Sequence, residues 1–366
     1  MKGKVAMAGQ EGVLKKEKEY LLVGTYTMED APGCTKDMVC GKGIYCYSYD
    51  SGTGQIGEMT DLMEMENPSY LTVNQAGDLV FAVNEKMEAS VIHLCTQEEG
   101  KLRLLDSLST KGAAACHIAY EENQGLLATA NYMSGSMGIS LVSQKEKLER
   151  QFEICYEGRG SNPERQEMSH VHSCLFYKHY LLAADLGLDQ IHVYQIVDGT
   201  IEFLEEINTR PGSGPRHMAV YEEDNNAWLY VVNELSCDVS VYEFRAENFQ
   251  EIQREPLFEG QWKDGNLAAD IHITKNGILY ASLRGADKIV WFQIRHGNLT
   301  KLGSMDSGGE GPRSFCFDWE ERHLIVANQL SSNLAIYPME QGIVNTENAK
   351  YFSVPVPVKV LTIPGS

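Results

Sequence analysis

Arg216, Glu234 and Arg284 stand out first among the residues of this chain that could do chemistry. Arginine stays protonated at any working pH and offers a planar fork of donors, so it suits an anion or a developing oxyanion. Glutamate and histidine can accept and return a proton. His170 and His172 supply that second capacity, in the run Ser169–His170–Val171–His172–Ser173. His117, His217, Asp270, Arg313, Glu85 and Asn131 are the polar residues expected to contact a ligand beside them. Such a set points to anion binding combined with proton transfer, provided that the fold brings these distant positions together.

A recurring segment supplies the fold. Its clearest copy is GPRHMAVYEEDNNAWLYVVNELSCDVSVYEF, from Gly214 to Phe244. An apolar run, His217 to Val220, reads as an inner strand A. An Asp/Asn-rich turn leads to strand B, Trp228 to Asn233, and Val239 to Phe244 alternates as strand C. A less regular strand D follows near Glu251 to Phe258. The ends of successive B strands fall at Asn84, Asn131, Asp185, Asn233, Leu283 and Asn328. That period matches the blades of a β-propeller. The chain opens without a strand A, at Tyr20 to Thr27, and closes with a lone one, Val358 to Ile363. The expected fold is therefore an all-β, seven-bladed β-propeller whose last blade combines one C-terminal strand with three N-terminal strands, so that no sheet edge is left open. Residues 1–19 read as a charged extension and residues 20–366 as one propeller domain.

Antiparallel pairing puts the start of each strand A beside the end of each strand B. Around the ring these places form one mouth of a central channel, the usual position of a ligand site. His117, His172, His217 and Asp270 are expected in one register at the A-strand starts, with His170, Arg216 and Arg313 just before them. Glu85, Asn131, Glu234 and Arg284 are expected at or just past the B-strand ends. Plainer readings exist for some of these. An Asn such as Asn131 can bond the turn backbone, His117 can be a structural imidazole, and Glu85 a solvated loop carboxylate. His117, His172, His217 and Asp270 could also be ligands of a zinc or manganese ion, although the radius of the ring holds them apart; no metal and no cofactor is expected.

The formal net charge of −20 argues against nucleic acid and anionic membrane as partners. It also means that an anionic substrate needs a local cationic pocket within an acidic shell. The N-terminal stretch lacks an apolar core, so it does not read as a secretory signal. The 9 cysteines have no regular spacing and read as reduced thiols of a cytoplasmic protein. Cys34 and Cys40 lie in a Gly-containing loop with no assignable role.

Several of these segments together resemble the seven-bladed β-propeller lactonases, a family that includes the propeller-type 6-phosphogluconolactonases and carboxymuconate lactonising enzymes. They are Ser169 to Ser173, Ala183 to Tyr194, Pro211 to Tyr221, Val231 to Phe244, Ala268 to Thr274, Gly311 to Asp318 and Val326 to Tyr337. The resemblance implies a sugar lactonase working without a metal on a small-molecule sugar lactone, anionic in character, as a monomer or dimer. It carries the active-site roles to His170 or His172, Arg216, Glu234 and Arg284. Lactone opening needs an activated water, donors for the oxyanion and a proton for the ring oxygen. Glu234 or His172 is then the expected base, Arg216 and Arg284 the oxyanion donors, Arg313 or the second active arginine the holder of a phosphate, and His170 an orienting or relaying group. A non-catalytic propeller that binds a partner on its top face, and a lactonising cycloisomerase, are the competing readings.

Overall fold

The computed structural model describes residues 19–245, 248–260 and 265–365; apart from Glu19, the charged extension lies outside them. Among the described residues there are strands and no helices. Seven antiparallel sheets stand around one axis. In six of them a segment continuous in sequence supplies strands A to D in order. The seventh pairs the C-terminal strand Pro357–Pro364 with Glu19–Thr25, followed by Gly43–Asp50 and Gln55–Glu64. The closure expected from the missing and surplus strands is the one observed.

The burial of each strand follows its place in the blade. B strands lie between the faces of two neighbouring blades, so Leu126–Asn131, Tyr180–Asp185 and His323–Asn328 bury every residue. The outer D strands, such as Thr200–Asn208, alternate and expose most of one face. Apolar clusters fill the gaps between blades. One joins Tyr230 and Val232 of the fourth blade to Leu279, Ala281 and Leu283 of the fifth. Another joins Leu21, Val23 and Val360 of the closing blade to Ile325 and Ala327 of the sixth.

One irregularity is repeated in every inner strand. The ladder between strands A and B slips near the start of each strand A. Ser69, Cys116, His172, Arg216 and Arg313 each fall at such a slip, as does Val358. In the fifth blade the slip spans Ala269 and Asp270. Such a bulge re-aims the side chain of the extra residue. The turn into several of these strands passes through positive φ, at Asn67, Ala114, Gly214, Gly311 and Val356. At Gly214 a Cβ would meet the Leu235 side chain at 2.7 Å, so glycine is required there on two counts.

The closing strand should be indispensable. Val358, Val360 and Ile363 are buried, at ~1.5–3 kcal/mol each on removal from water. A chain truncated after Val356 is expected to lose roughly as much as a domain's whole stability. It should be recovered insoluble or without a cooperative melt. A truncated chain melting within about 5 °C of the intact one would show that the ring does not depend on that strand.

Candidate active site

The bulges and the strand ends stack polar side chains in three tiers along the channel. The upper tier follows the B strands, where in six blades a backbone N–H closes onto the residue before the same blade's inner strand, and in the fifth Arg284 pairs with Leu267. It carries Tyr26, Glu85, Tyr132, Glu234, Arg284 and Gln329, with Leu186 in the remaining blade. The middle tier is the row of bulge residues, with Cys116, His172, Arg216 and Arg313 as its chemically distinctive members. The lower tier is the next residue of each strand A, and includes Tyr70, His117, His217, Asp270 and Lys359. A funnel of about 460 Å³ opens over the upper tier and reaches Cys116, His172 and Arg313. Beneath it a throat of about 10 Å³ is lined by Glu85, His172, Arg216, His217 and Arg313. The lower tier faces a separate cavity of about 520 Å³.

Glu234 is the hub of the funnel. Its Oε2 accepts from Arg216 Nε at 2.8 Å and from Arg284 Nη2 at 2.9 Å, and its Oε1 accepts from Arg165 Nη2 at 2.6 Å. Burial opposes its ionisation, but the guanidiniums of Arg284, Arg216 and Arg165 outweigh burial and hold the carboxyl well below the usual range. Both oxygens of Glu234 are thus committed to guanidinium groups. Arg284 is held down to about 10 by burial and by the neighbouring Arg216 and Arg313, against the pull of Glu234. Its Nε is a buried donor with no partner among the described residues. An unmet buried donor costs about 1–3 kcal/mol and calls for an acceptor from outside the chain.

A second unit stands across the funnel. The Tyr26 hydroxyl donates to Glu85 Oε2 at 2.8 Å and accepts from Arg313 Nη2 at 2.8 Å. Burial pushes that phenol well above its ordinary value, and Arg313 only partly offsets this. Arg313 has no carboxylate within ion-pair distance among the described residues, and its guanidinium lies 5.2 Å from the centre of the Tyr26 ring. His172 is kept neutral by burial and by Arg216 and His217. Burial likewise keeps the Cys116 thiol protonated. Four guanidiniums, Arg165, Arg216, Arg284 and Arg313, therefore face two carboxylates, Glu85 and Glu234, and leave an excess of positive charge.

The lower tier braces this arrangement from below. Asp270 Oδ1 accepts from His217 Nδ1 at 2.8 Å, and His217 Nε2 accepts from Arg216 Nη1 at 3.2 Å. Burial and Arg216 hold His217 down to about 3, so it stays a neutral acceptor. Arg216 Nη1 also donates to the Ala269 carbonyl. Lys359 sits 4.2 Å over the Tyr70 ring, in the field of Asp270.

The structure brings together Glu85, His172, Arg216, Glu234, Arg284 and Arg313 at the funnel and its throat. It sets the others apart. His117, His217 and Asp270 do not share the register of His172; they belong one tier lower, because the bulge advances His172 into line with Cys116 and Arg216. His217 alone of the three also reaches the throat. His117 accepts from the Cys174 backbone N–H. His170 does not line the funnel: its ring stacks on Tyr132 at 4.4 Å, and its nitrogens meet the Tyr132 carbonyl and Glu167. Asn131 is tied to Ser136 inside its own blade. Among the described residues no group of three or more His, Cys, Asp and Glu side chains is arranged to hold a metal ion.

Arg165 was not signalled by the repeat. It rides on the loop over the third blade, where Asn162 Oδ1 accepts from the Glu164 and Arg165 N–H groups and the buried Gln166 bonds the Leu186 carbonyl. The Asn–Pro step at 162–163 is a turn signal in the sequence, but it does not say which funnel the next arginine crosses. The loop bearing Cys34 and Cys40 gains a place as well. Pro32 and Gly33 form one wall of the funnel, and the Pro32 carbonyl accepts from Gln329 Nε2 at 2.6 Å. All cysteines among the described residues are unpaired.

Comparison with known proteins agrees with this architecture. Residues 20–362 match the family model described as lactonase, 7-bladed beta-propeller. The 6-phosphogluconolactonase of Bacillus subtilis is 29% identical, over 87% of this chain and 90% of its own. The 6-phosphogluconolactonase of Formosa agariphila is 30% identical, over 83% and 90%. The solved structure of a periplasmic gluconolactonase of Pseudomonas aeruginosa superposes with a TM-score of 0.84 at 25% identity, covering 94% of this chain and 99% of that one.

The ion-pair hub predicts a stability effect. Glu234→Gln leaves three guanidiniums around a neutral amide, which should cost about 3–5 kcal/mol and lower the melting temperature at pH 7. The folded carboxyl is held below its unfolded value of about 4.3, so its contribution is complete above that pH and is lost as pH falls through the folded value. Melting curves from pH 7 to 3 should therefore converge at the acidic end. Parallel curves, or an unchanged melting temperature at pH 7, would remove Glu234 from the role of anchor.

Proposed function

The chain belongs to the seven-bladed β-propeller lactonase family, and from that premise we propose that it hydrolyses a sugar lactone bearing an anionic group, with 6-phosphogluconolactone as the substrate. The observation that carries this reading is the pair of arginines with unused donors. Arg284 has a buried Nε without an acceptor, and Arg313 has no carboxylate partner. A lactone carbonyl that gains negative charge under attack would satisfy the first, and a phosphate the second. The funnel's positive excess inside an acidic protein would draw in such a molecule over its neutral competitors.

Arg284 would polarise the carbonyl while Glu234, gripping Arg165, Arg216 and Arg284 at once, fixes the donor geometry before substrate arrives. Preorganised donors of this kind need no reorientation during the reaction. Glu234 is poorly suited to be the base, because its lone pairs are engaged and its proton affinity is low. Neutral His172, beside Cys116 and Tyr132, can offer a hydrogen bond to a substrate hydroxyl or to the ring oxygen. The rim is built of Pro32, Met87, Met133 and Leu330, and among the described residues no Trp or Phe side chain lines the funnel. A partner-binding face would be expected to carry such anchors, so the sheltered arginines favour catalysis.

Proton release in a pH-stat, measured on fresh lactones with and without phosphate, tests the reading. The protein should open the phosphorylated sugar lactone well above the buffer rate. Arg313→Ala should raise KM for that substrate by about 30- to 150-fold, the loss of a charged hydrogen bond worth roughly 2–3 kcal/mol. KM for the unphosphorylated lactone should change only slightly. Equal losses on both would detach Arg313 from the phosphate, and no acceleration on any lactone would overturn the activity itself.

A further inference from the structure

The funnel holds two carboxylates, and they stand in unlike surroundings. Glu85 and Glu234 occupy the same tier, each following an asparagine at the end of a strand B. Glu234 has both oxygens bound to guanidinium groups. Glu85 has one: Oε2 accepts from the Tyr26 hydroxyl, while Oε1 has no hydrogen-bond partner among the described residues. Glu85 also lines both the funnel and the throat beneath it. No guanidinium hydrogen-bonds to Glu85 among the described residues, and Arg313 is linked to it through the Tyr26 hydroxyl.

On the reading of the site as a lactone hydrolase, we propose that Glu85 is the catalytic base, its free Oε1 removing a proton from the attacking water. The water oxygen bonds to the lactone carbonyl carbon as its proton passes to Glu85. The ring C–O bond then breaks, and Glu85 returns the proton to the departing ring oxygen. Lactone and water become the hydroxy acid, whose carboxyl releases a proton to solvent. Tyr26 is the positioning residue. Its hydroxyl pins Oε2, so that Oε1 is presented to the funnel, and Arg313 fixes the hydroxyl in turn. The other proton acceptors fit the role less well. His172 is held neutral well below its ordinary range, which makes it a weak base, and His170 lies outside the funnel.

Steady-state kinetics on the phosphorylated sugar lactone decide the matter. Glu85→Gln should lower kcat by about 100-fold or more, the usual worth of general base catalysis, with KM changed less than about threefold. Glu85→Ala should regain part of the lost rate when formate is added, because the small carboxylate can occupy the vacated space. Wild-type kcat in Glu85→Gln, or absence of formate rescue with both variants folded, overturns the assignment. If neither Glu85 variant gives a cooperative melt, Tyr26→Phe decides: its ring keeps the contacts with Ala31, Val356 and Val358. That variant should lose about tenfold in kcat at unchanged KM, and full activity would overturn the proposal. A wild-type protein that opens no lactone instead overturns the reading of the site, a result separate from any effect of Glu85.

Discussion

In each inner strand one short stretch has no regular partner across the ladder. Without that slip, side chains at the top of the strand would keep strict alternation, and a one-residue shift would send them into the interface between blades. The bulge turns Cys116, His172, Arg216 and Arg313 towards the axis at nearly one height. The ring closure makes that height common to all blades, because the C-terminal strand repeats the same slip at Val358. A propeller held together by apolar contacts between blades thus acquires, at no cost to those contacts, a tier of polar groups at its mouth.

Crowding arginines there is expensive on its own. Arg216 is 2% exposed and is surrounded by further cations. Glu234 resolves this by accepting from three guanidiniums, and the Ala269 carbonyl and His217 occupy another edge of Arg216. The His217 ring accepts on Nε2 because its proton stays on Nδ1, which donates to Asp270. A chain of contacts therefore runs from the lower tier to the funnel, each link fixing the orientation of the next. Buried networks of this kind are weak evidence for stability but strong constraints on geometry. What remains unpaired, on Arg284 and Arg313, is then available to a ligand.

The sequence disclosed the period, the strands and the closure because each rests on local pattern: alternation, turn residues, and a missing strand matched by a surplus one. It also disclosed Arg216, Glu234 and Arg284, since charge at the end of a buried strand is anomalous wherever it occurs. The tiers were not legible. Ser–His–Val–His–Ser offers two histidines, and only the position of the bulge shows that His172, not His170, is level with Arg216. His117, His217 and Asp270 looked level with His172 for the same reason. Arg165 was invisible because it lies in a loop outside the repeat, and its target, Glu234, is 69 residues away. Asn131 read as a ligand contact by analogy of place, yet Ser136 claims it within the blade.

The difference between Glu85 and Glu234 has the same origin. Both sit after an Asn at the end of a strand B, so the repeat makes them equivalent. What separates them is the residues each blade's neighbours contribute. Around Glu234 the middle tier supplies Arg216, the next blade supplies Arg284, and the preceding loop supplies Arg165. Around Glu85 the corresponding middle-tier residues are Ser69 and Cys116, and the contact from the closing blade is the phenol of Tyr26. A carboxylate surrounded by cations is held ionised and becomes a scaffold. A carboxylate hydrogen-bonded by one neutral phenol keeps an oxygen for chemistry. Two environments built on one symmetric frame thus push like groups towards unlike tasks, which is how a pair of carboxylates can serve both positioning and proton transfer.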